Sequence, residues 1–209
     1  MKRMINKRRK IVVSKKGLRA LGIAESFTPD SKLKRSILAG VIMRGDFIVD
    51  GFSFEFVTLG GLDATEGIIN IIKRLNRPDI SILLLSGTVI SLYNVIDLHA
   101  VHAETRLPII AITYEESKGI DECLLRLPLG SKRLEIHKKN GPRIPVILNN
   151  GYKIYVRHIG ITLDDAIRVL NRFTIHGRYP EPIRVAKALA HAIMLFFLEK
   201  KRDFMDFLA

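Results

Sequence analysis

Apolar and polar positions alternate between two periods along this chain, and the switches between them mark its elements. Residues 18–23 form an apolar run that predicts a first strand. Residues 37–44 and 47–57 predict a hairpin, with Phe52, Phe54 and Phe56 alternating against Ser53 and Glu55. From 63 to 75 the spacing becomes helical, through Ile68, Ile69, Ile72 and Leu75. Asp63 and Glu66 stand at N-cap and N3 of that helix, the arrangement of a capping box. Residues 80–85 and 109–112 are unbroken apolar runs, as expected of strands covered on both faces. A helix predicted over 95–106 lies between them, which makes the three a βαβ unit with parallel strands. Two further strands, 146–148 and 153–156, are joined at Asn149-Asn150-Gly151, a strong turn signal. Two helices follow, over 163–173 and from about Pro182, where proline suits a first helical turn. The apolar stretch 185–198 is too short to span a bilayer and reads as a buried helix.

Three antiparallel strands followed by parallel strands alternating with helices predict an α/β fold with a mixed sheet flanked by helices. That order is similar to the ribonuclease H-like fold. No repeat or linker divides the 209 residues, so a basic arm (1–17), one domain (18–200) and an apolar tail (201–209) are expected. A single cysteine, Cys123, excludes an internal disulfide and a cysteine-built zinc site. With no signal-peptide pattern at the start, the expectation is a cytoplasmic protein with no membrane partner.

Charge changes the picture through its placement. The net charge is +13, and residues 1–35 supply +10 of it through 12 Lys/Arg against Glu25 and Asp30. The basic character therefore belongs to the arm, where Lys7, Arg8, Arg9 and Lys10 are the candidate phosphate contacts.

The segment Gly177-Arg-Tyr-Pro-Glu-Pro-Ile-Arg-Val-Ala186 resembles the closing motif of endonuclease V, and residues 161–167 resemble the helix before it. Pro78-Asp79 ahead of a strand ending Leu85-Ser86-Gly87, then Leu107-Pro108-Ile-Ile-Ala-Ile112, and Gly22-Ile23-Ala24-Glu25 resemble three of that family's strands. Asp63-Ala-Thr65 and Pro180-Glu-Pro-Ile-Arg184 look closer still to a sister family, the largely archaeal endonuclease dU group. The resemblance implies an endonuclease V-type fold and a divalent ion, Mg²⁺ or Mn²⁺, held by three carboxylates to activate water. Carried over position by position, those carboxylates fall on Ala24, Asp63 and Ser86, so two of the three positions are vacated. Glu25 is the neighbour that could substitute if a bulge re-aimed it. Asp50, Glu66 and Asp97 are further acids near strand ends, each with an ordinary structural role open to it. His158 lies one residue before the place of the family's assisting histidine, which by alternation turns it to the other face.

These residues define two readings. In one, Asp63 and Glu25 are the catalytic and metal-binding residues of a metal-dependent endonuclease acting near damaged or deaminated bases. In the other, the chain is a non-catalytic nucleic-acid-binding module with a degenerate metal site. Both make nucleic acid the partner, DNA ahead of RNA. Arg184, in the first turn of the last helix, reaches either a carboxylate or a phosphate. His99 and His102 share a helix face that suits a metal or plain packing, and Gly60-Gly61 suits a phosphate or a tight turn. Phe204, Phe207 and Leu208 are similar in spacing to a sliding-clamp docking peptide; the alternative is that they extend the last helix.

Overall fold

The computed structural model describes residues 13, 15, 17–28, 33–117 and 119–207, with side chains as far as Lys200. Strands β1 (Arg19–Ser26), β2 (Arg35–Arg44) and β3 (Val49–Thr58) run antiparallel in sequence, as the alternation required. Helix α1 (Ala64–Leu75) then leads to β4 (Ile82–Ser86), which pairs parallel to β1. A small hairpin, β5 (Val89–Ile90) and β6 (Asn94–Val95), precedes α2 (Leu98–Thr105) and β7 (Ile109–Thr113). Helices α3 (Asp121–Leu125) and α4 (Gly130–Lys139) lead into β8 (Ile144–Ile147) and β9 (Lys153–Ile159). Helices α5 (Leu163–Phe173) and α6 (Glu181–Phe207) follow.

The seven-stranded sheet has the order β3-β2-β1-β4-β7-β9-β8, with β1, β4 and β7 parallel at its centre. Both faces of that centre are dry, which is why β4 and β7 read as unbroken apolar runs rather than alternating ones. Ala20, Ala24, Ile82, Leu84, Ile110 and Ile112 pack beneath α5 and α6. Leu21, Ile23, Leu83, Leu85, Ile109 and Ala111 pack beneath α1 and α2. On β1, Gly22 lies so close to α6 that a β-carbon would overlap the Pro182 carbonyl, so only glycine lets the helix seat there.

Three expectations change. The stretch 185–198 buries only one side: Ala186, Ala190 and Met194 are covered, whereas Leu195 and Phe196 are exposed. The helix expected over 95–106 starts at Leu98, because Asn94–Val95 is spent as β6 and Asp97 becomes the N-cap, accepting from Ala100 N at 2.9 Å. The capping box at α1 does not form. Asp63 occupies the N-cap but its side chain turns back to Thr58, and Asn94 Oδ1 accepts from Ala64 N instead. No helix among the described residues is long and apolar enough to cross a membrane.

Candidate functional site

Parallel strands open a crevice beyond their carboxyl ends, where loops replace the sheet. In this chain β4 ends at Ser86 and β7 at Thr113, and a cavity of about 470 Å³ lies beyond them. Ser86 follows Ile82 and Leu84 on the α6 face, beside Ala24 of β1. Two of the three family positions therefore meet, carrying a methyl and a hydroxyl.

Asp63 sits at the start of α1. Thr58 N donates to both its oxygens at 3.0 and 3.1 Å, Thr58 Oγ1 donates at 2.7 Å, and Asn94 Nδ2 donates at 2.7 Å. Burial alone would push its carboxyl up, but the bonds from Thr58 and Asn94 outweigh that and hold it below the usual aspartate range. Glu25 stands in regular register opposite Leu38, with no bulge to re-aim it, so it shares the α1 face with Leu21 and Ile23. Its oxygens accept from Ser91 N at 3.2 Å and Ser91 Oγ at 2.9 Å, and Ser91 Oγ also meets the buried Ser36 Oγ at 2.6 Å. The two acids thus reach opposite ends of one segment, Ser91 to Asn94, and hold it. Among the described residues, no three of His, Cys, Asp and Glu come together as a metal would need. The donor set does not fit a divalent ion bound in the family manner, because the one surviving carboxylate, Asp63, and its neighbouring substitute, Glu25, are already supplied with protein donors.

The other candidates are placed elsewhere. Asp50 pairs with Arg19 at 2.6 Å and Arg77 at 3.0 Å, at the opposite end of β1 from the cavity. Asp97 caps α2 and pairs with Lys139 at 2.8 Å, and Glu66 is exposed. His158 corrects an expectation. It shares the face of Val156 and Ala24, yet it pairs with Ile110 near the start of β7, so it lies at the wrong end rather than on the wrong face. Its Nδ1 meets the Ile161 carbonyl at 2.8 Å. His99 and His102 meet the carbonyls of Lys139 and Leu107 at 3.0 and 2.7 Å. Gly60 and Gly61 form a turn whose N–H groups are bonded to Ser91 O and Thr58 O, at 2.7 and 3.0 Å. Arg184 takes the carboxylate alternative: its Nε stands 3.2 Å from Glu181 Oε2, and it donates to the His176 carbonyl at 2.9 Å. Lys7, Arg8, Arg9 and Lys10 lie outside the described residues, as do the side chains of the tail; α6 itself continues through Phe207.

Sequence reasoning missed most of the cavity wall. Arg157, from β9, is 7% exposed; its Nε donates to the Gly141 carbonyl at 2.7 Å and its Nη1 to Thr88 Oγ1 at 3.1 Å. No carboxylate among the described residues pairs with it. Burial, then the neighbouring Arg143, lower its pKa, though a guanidinium stays charged. Arg143 lines the same space and donates to the carbonyls of Glu115 and Ser117 at 3.2 and 3.1 Å. His137 from α4 is held below its usual range by burial and by Arg157, and its buried Nδ1 has no partner. Across the cavity the Tyr114 and Tyr179 ring centroids lie 4.1 Å apart with the planes tilted by 38°, and the buried Tyr114 hydroxyl also lacks a partner. Burial pushes that hydroxyl's pKa far up, so it stays protonated. The signals on offer were Ser86-Gly87 at the end of the predicted strand and Tyr179 inside the Gly177–Ala186 motif.

The model of the family described as endonuclease dU matches residues 16–194. A UPF0215 protein of Pyrobaculum calidifontis is 36% identical over 184 residues, 87% of this chain and 100% of the relative. A crystal structure of a protein of unknown function from Archaeoglobus fulgidus superposes with a TM-score of 0.75 at 27% identity, covering 85% of this chain and 98% of that one. Endonuclease V of Ciona intestinalis, in complex with DNA containing an inosine, gives a TM-score of 0.60 at 14% identity, covering 87% of each chain. The last is a likeness of fold.

Proposed function

This chain belongs to the endonuclease dU family, and from that premise we propose that it is a nucleic-acid-binding protein with the endonuclease V ground plan and little or no hydrolytic activity. The observation that carries the reading is the exchange of charge at the cleft. Ala24 and Ser86 stand where acids are expected, Asp63 is spent on Thr58 and Asn94 and Glu25 on Ser91, and the basic side chains facing the cavity with no carboxylate partner among the described residues are Arg157, Arg143 and His137. A cleft of guanidinium and aromatic groups grips phosphates and stacks bases without a metal. DNA is the polymer favoured, since the Ciona protein is in complex with it. Lys7, Arg8, Arg9 and Lys10 would add sequence-independent phosphate contacts. If about six such contacts form, affinity falls by roughly three powers of ten between about 50 and 200 mM salt.

The rival reading keeps catalysis: Asp63 and Glu25 would leave their hydrogen bonds to hold Mg²⁺ or Mn²⁺ and cut near a uracil or a deaminated base. What favours it is that both acids end on the same short segment. The test incubates the full chain with uracil- and inosine-containing duplexes, with and without each ion. We expect salt-sensitive binding and no ion-dependent cleavage above background, with Ala24→Asp/Ser86→Asp needed before an ion binds. Brisk ion-dependent cleavage abolished by Asp63→Ala overturns the proposal.

A further inference from the structure

Arg157 poses a question of charge balance. A buried cation is costly unless something offsets it, and here protein acceptors take only two of five guanidinium N–H groups. A second guanidinium, Arg143, stands beside it and offsets nothing. His137 Nδ1, and the Tyr114 hydroxyl across the cavity, are buried without partners. All four line one cavity, and Glu115, the one carboxylate among its described lining residues, is tied to Arg178 at 2.6 Å. Several donors and two positive charges converge on one space, and among the described residues no free carboxylate meets them there. What they lack is a compact oxyanion.

The shape says which kind. An internal phosphodiester carries chain on both sides, so it meets protein along a groove with two exits. Arg157 is only 7% exposed and lines a cavity of about 470 Å³, so a phosphate with one free side reaches it more readily than one with chain on both sides. The Tyr114–Tyr179 pair offers an aromatic wall within the same volume, suited to the base or sugar that follows.

We infer that this cavity is a receptor for the terminal phosphate monoester of a nucleotide, the phosphate against Arg157, Arg143 and His137 and the nucleoside toward Tyr114 and Tyr179. The inference rests on the proposed nucleic-acid reading for its nucleotide, and names which part of a strand, or which free nucleotide, the cleft takes. The source is either a strand end or a mononucleotide.

The test titrates the full chain with one short single strand in three forms: 5′-phosphate, 3′-phosphate and hydroxyl at both ends. Deoxynucleoside monophosphates serve as competitors. One phosphorylated end should bind on the order of tenfold tighter than the hydroxyl form. Arg143→Ala should erase that preference, and Arg157→Lys, which keeps charge but loses the fork, should reduce it. A monophosphate that raises the melting temperature of the native chain, but not of Arg143→Ala, assigns the site to free nucleotides; competition without such a rise assigns it to strand ends. Equal affinity for all three strands, with no monophosphate binding, overturns the inference and leaves the nucleic-acid reading standing. Monophosphate binding with no strand binding in any form upholds the inference and overturns that reading.

Discussion

Asp63 accepts four hydrogen bonds from Thr58 and Asn94, and those bonds need its charge. Asparagine has the same outline but would turn an NH₂ toward donors, leaving two of them facing each other. Asp63→Asn should therefore cost about 1–2 kcal/mol at neutral pH, after allowance for partial exposure. Because the folded pKa lies below the ordinary 3.8, this stabilisation is present above that value and is lost as pH falls through the folded pKa. Urea unfolding at pH 7 and near pH 3 should show the wild type and Asp63→Asn converging at the lower pH. A gap that persists in acid would mean that the charge is not what stabilises the turn. Residues of this kind were partly legible. The acids, and the vacancies at Ala24 and Ser86, could be read because a motif fixes their positions. Arg143, Arg157 and His137 could not, since single basic residues scattered over different elements look like solvated surface until the fold gathers them.

At the scale of elements, the long periodic segments were legible: β1 to β4, α1, β7, α5 and the start of α6 fall within a few residues of expectation. Of the short elements, β8 and β9 were legible too, whereas β5, β6, α3 and α4 were not. The β5–β6 hairpin turns through Ser91, Leu92 and Tyr93, all at positive φ (46°, 57° and 68°), a conformation that no glycine or Asn-Gly announces. Helix α4 went unseen because its residues are mostly polar on every side, so it has no apolar stripe to reveal it. What holds the hairpin comes from outside it. Arg133 of α4 donates to the carbonyls of Gly60, Gly61, Tyr93 and Pro128. Arg133→Leu leaves those carbonyls without their donor and should lower stability by about 2–4 kcal/mol. Hydrogen exchange should quicken from Ser91 to Asn94 more than in β4 or β7. Uniform quickening would show that Arg133 serves the whole domain rather than this turn.

Over the whole molecule, the mixed sheet was legible because unbroken apolar strands separated by helices admit few arrangements, and the family motifs run through them in order. The cavity depends on Gly87 to Val89 and on the segments around α3 and α4, where periodicity gives little guidance. Charge is divided as the chain is: +10 of +13 within residues 1–35, on a body near balance. On the proposed reading, the arm would supply attraction that is general and salt-sensitive, and the cavity discrimination.

The contact between Gly22 and Pro182 also has a meaning in time. β1 lies at the sheet's centre, and the ground on its α6 face, from Leu18 to Ala24, is covered by a helix that is synthesised some 160 residues later. During translation the first strand can pair with β2 and β4 but stays bare on that side until α6 emerges. Premature release is therefore more hazardous for this protein than loss of an edge strand would be. A chain ending at residue 180 should be recovered in aggregates, whereas removal of 201–209 alone should leave it folded. Stalled ribosome complexes should show the early strands resisting protease only once α6 has been made. A protease-resistant chain of 180 residues would show that the sheet closes without its last helix.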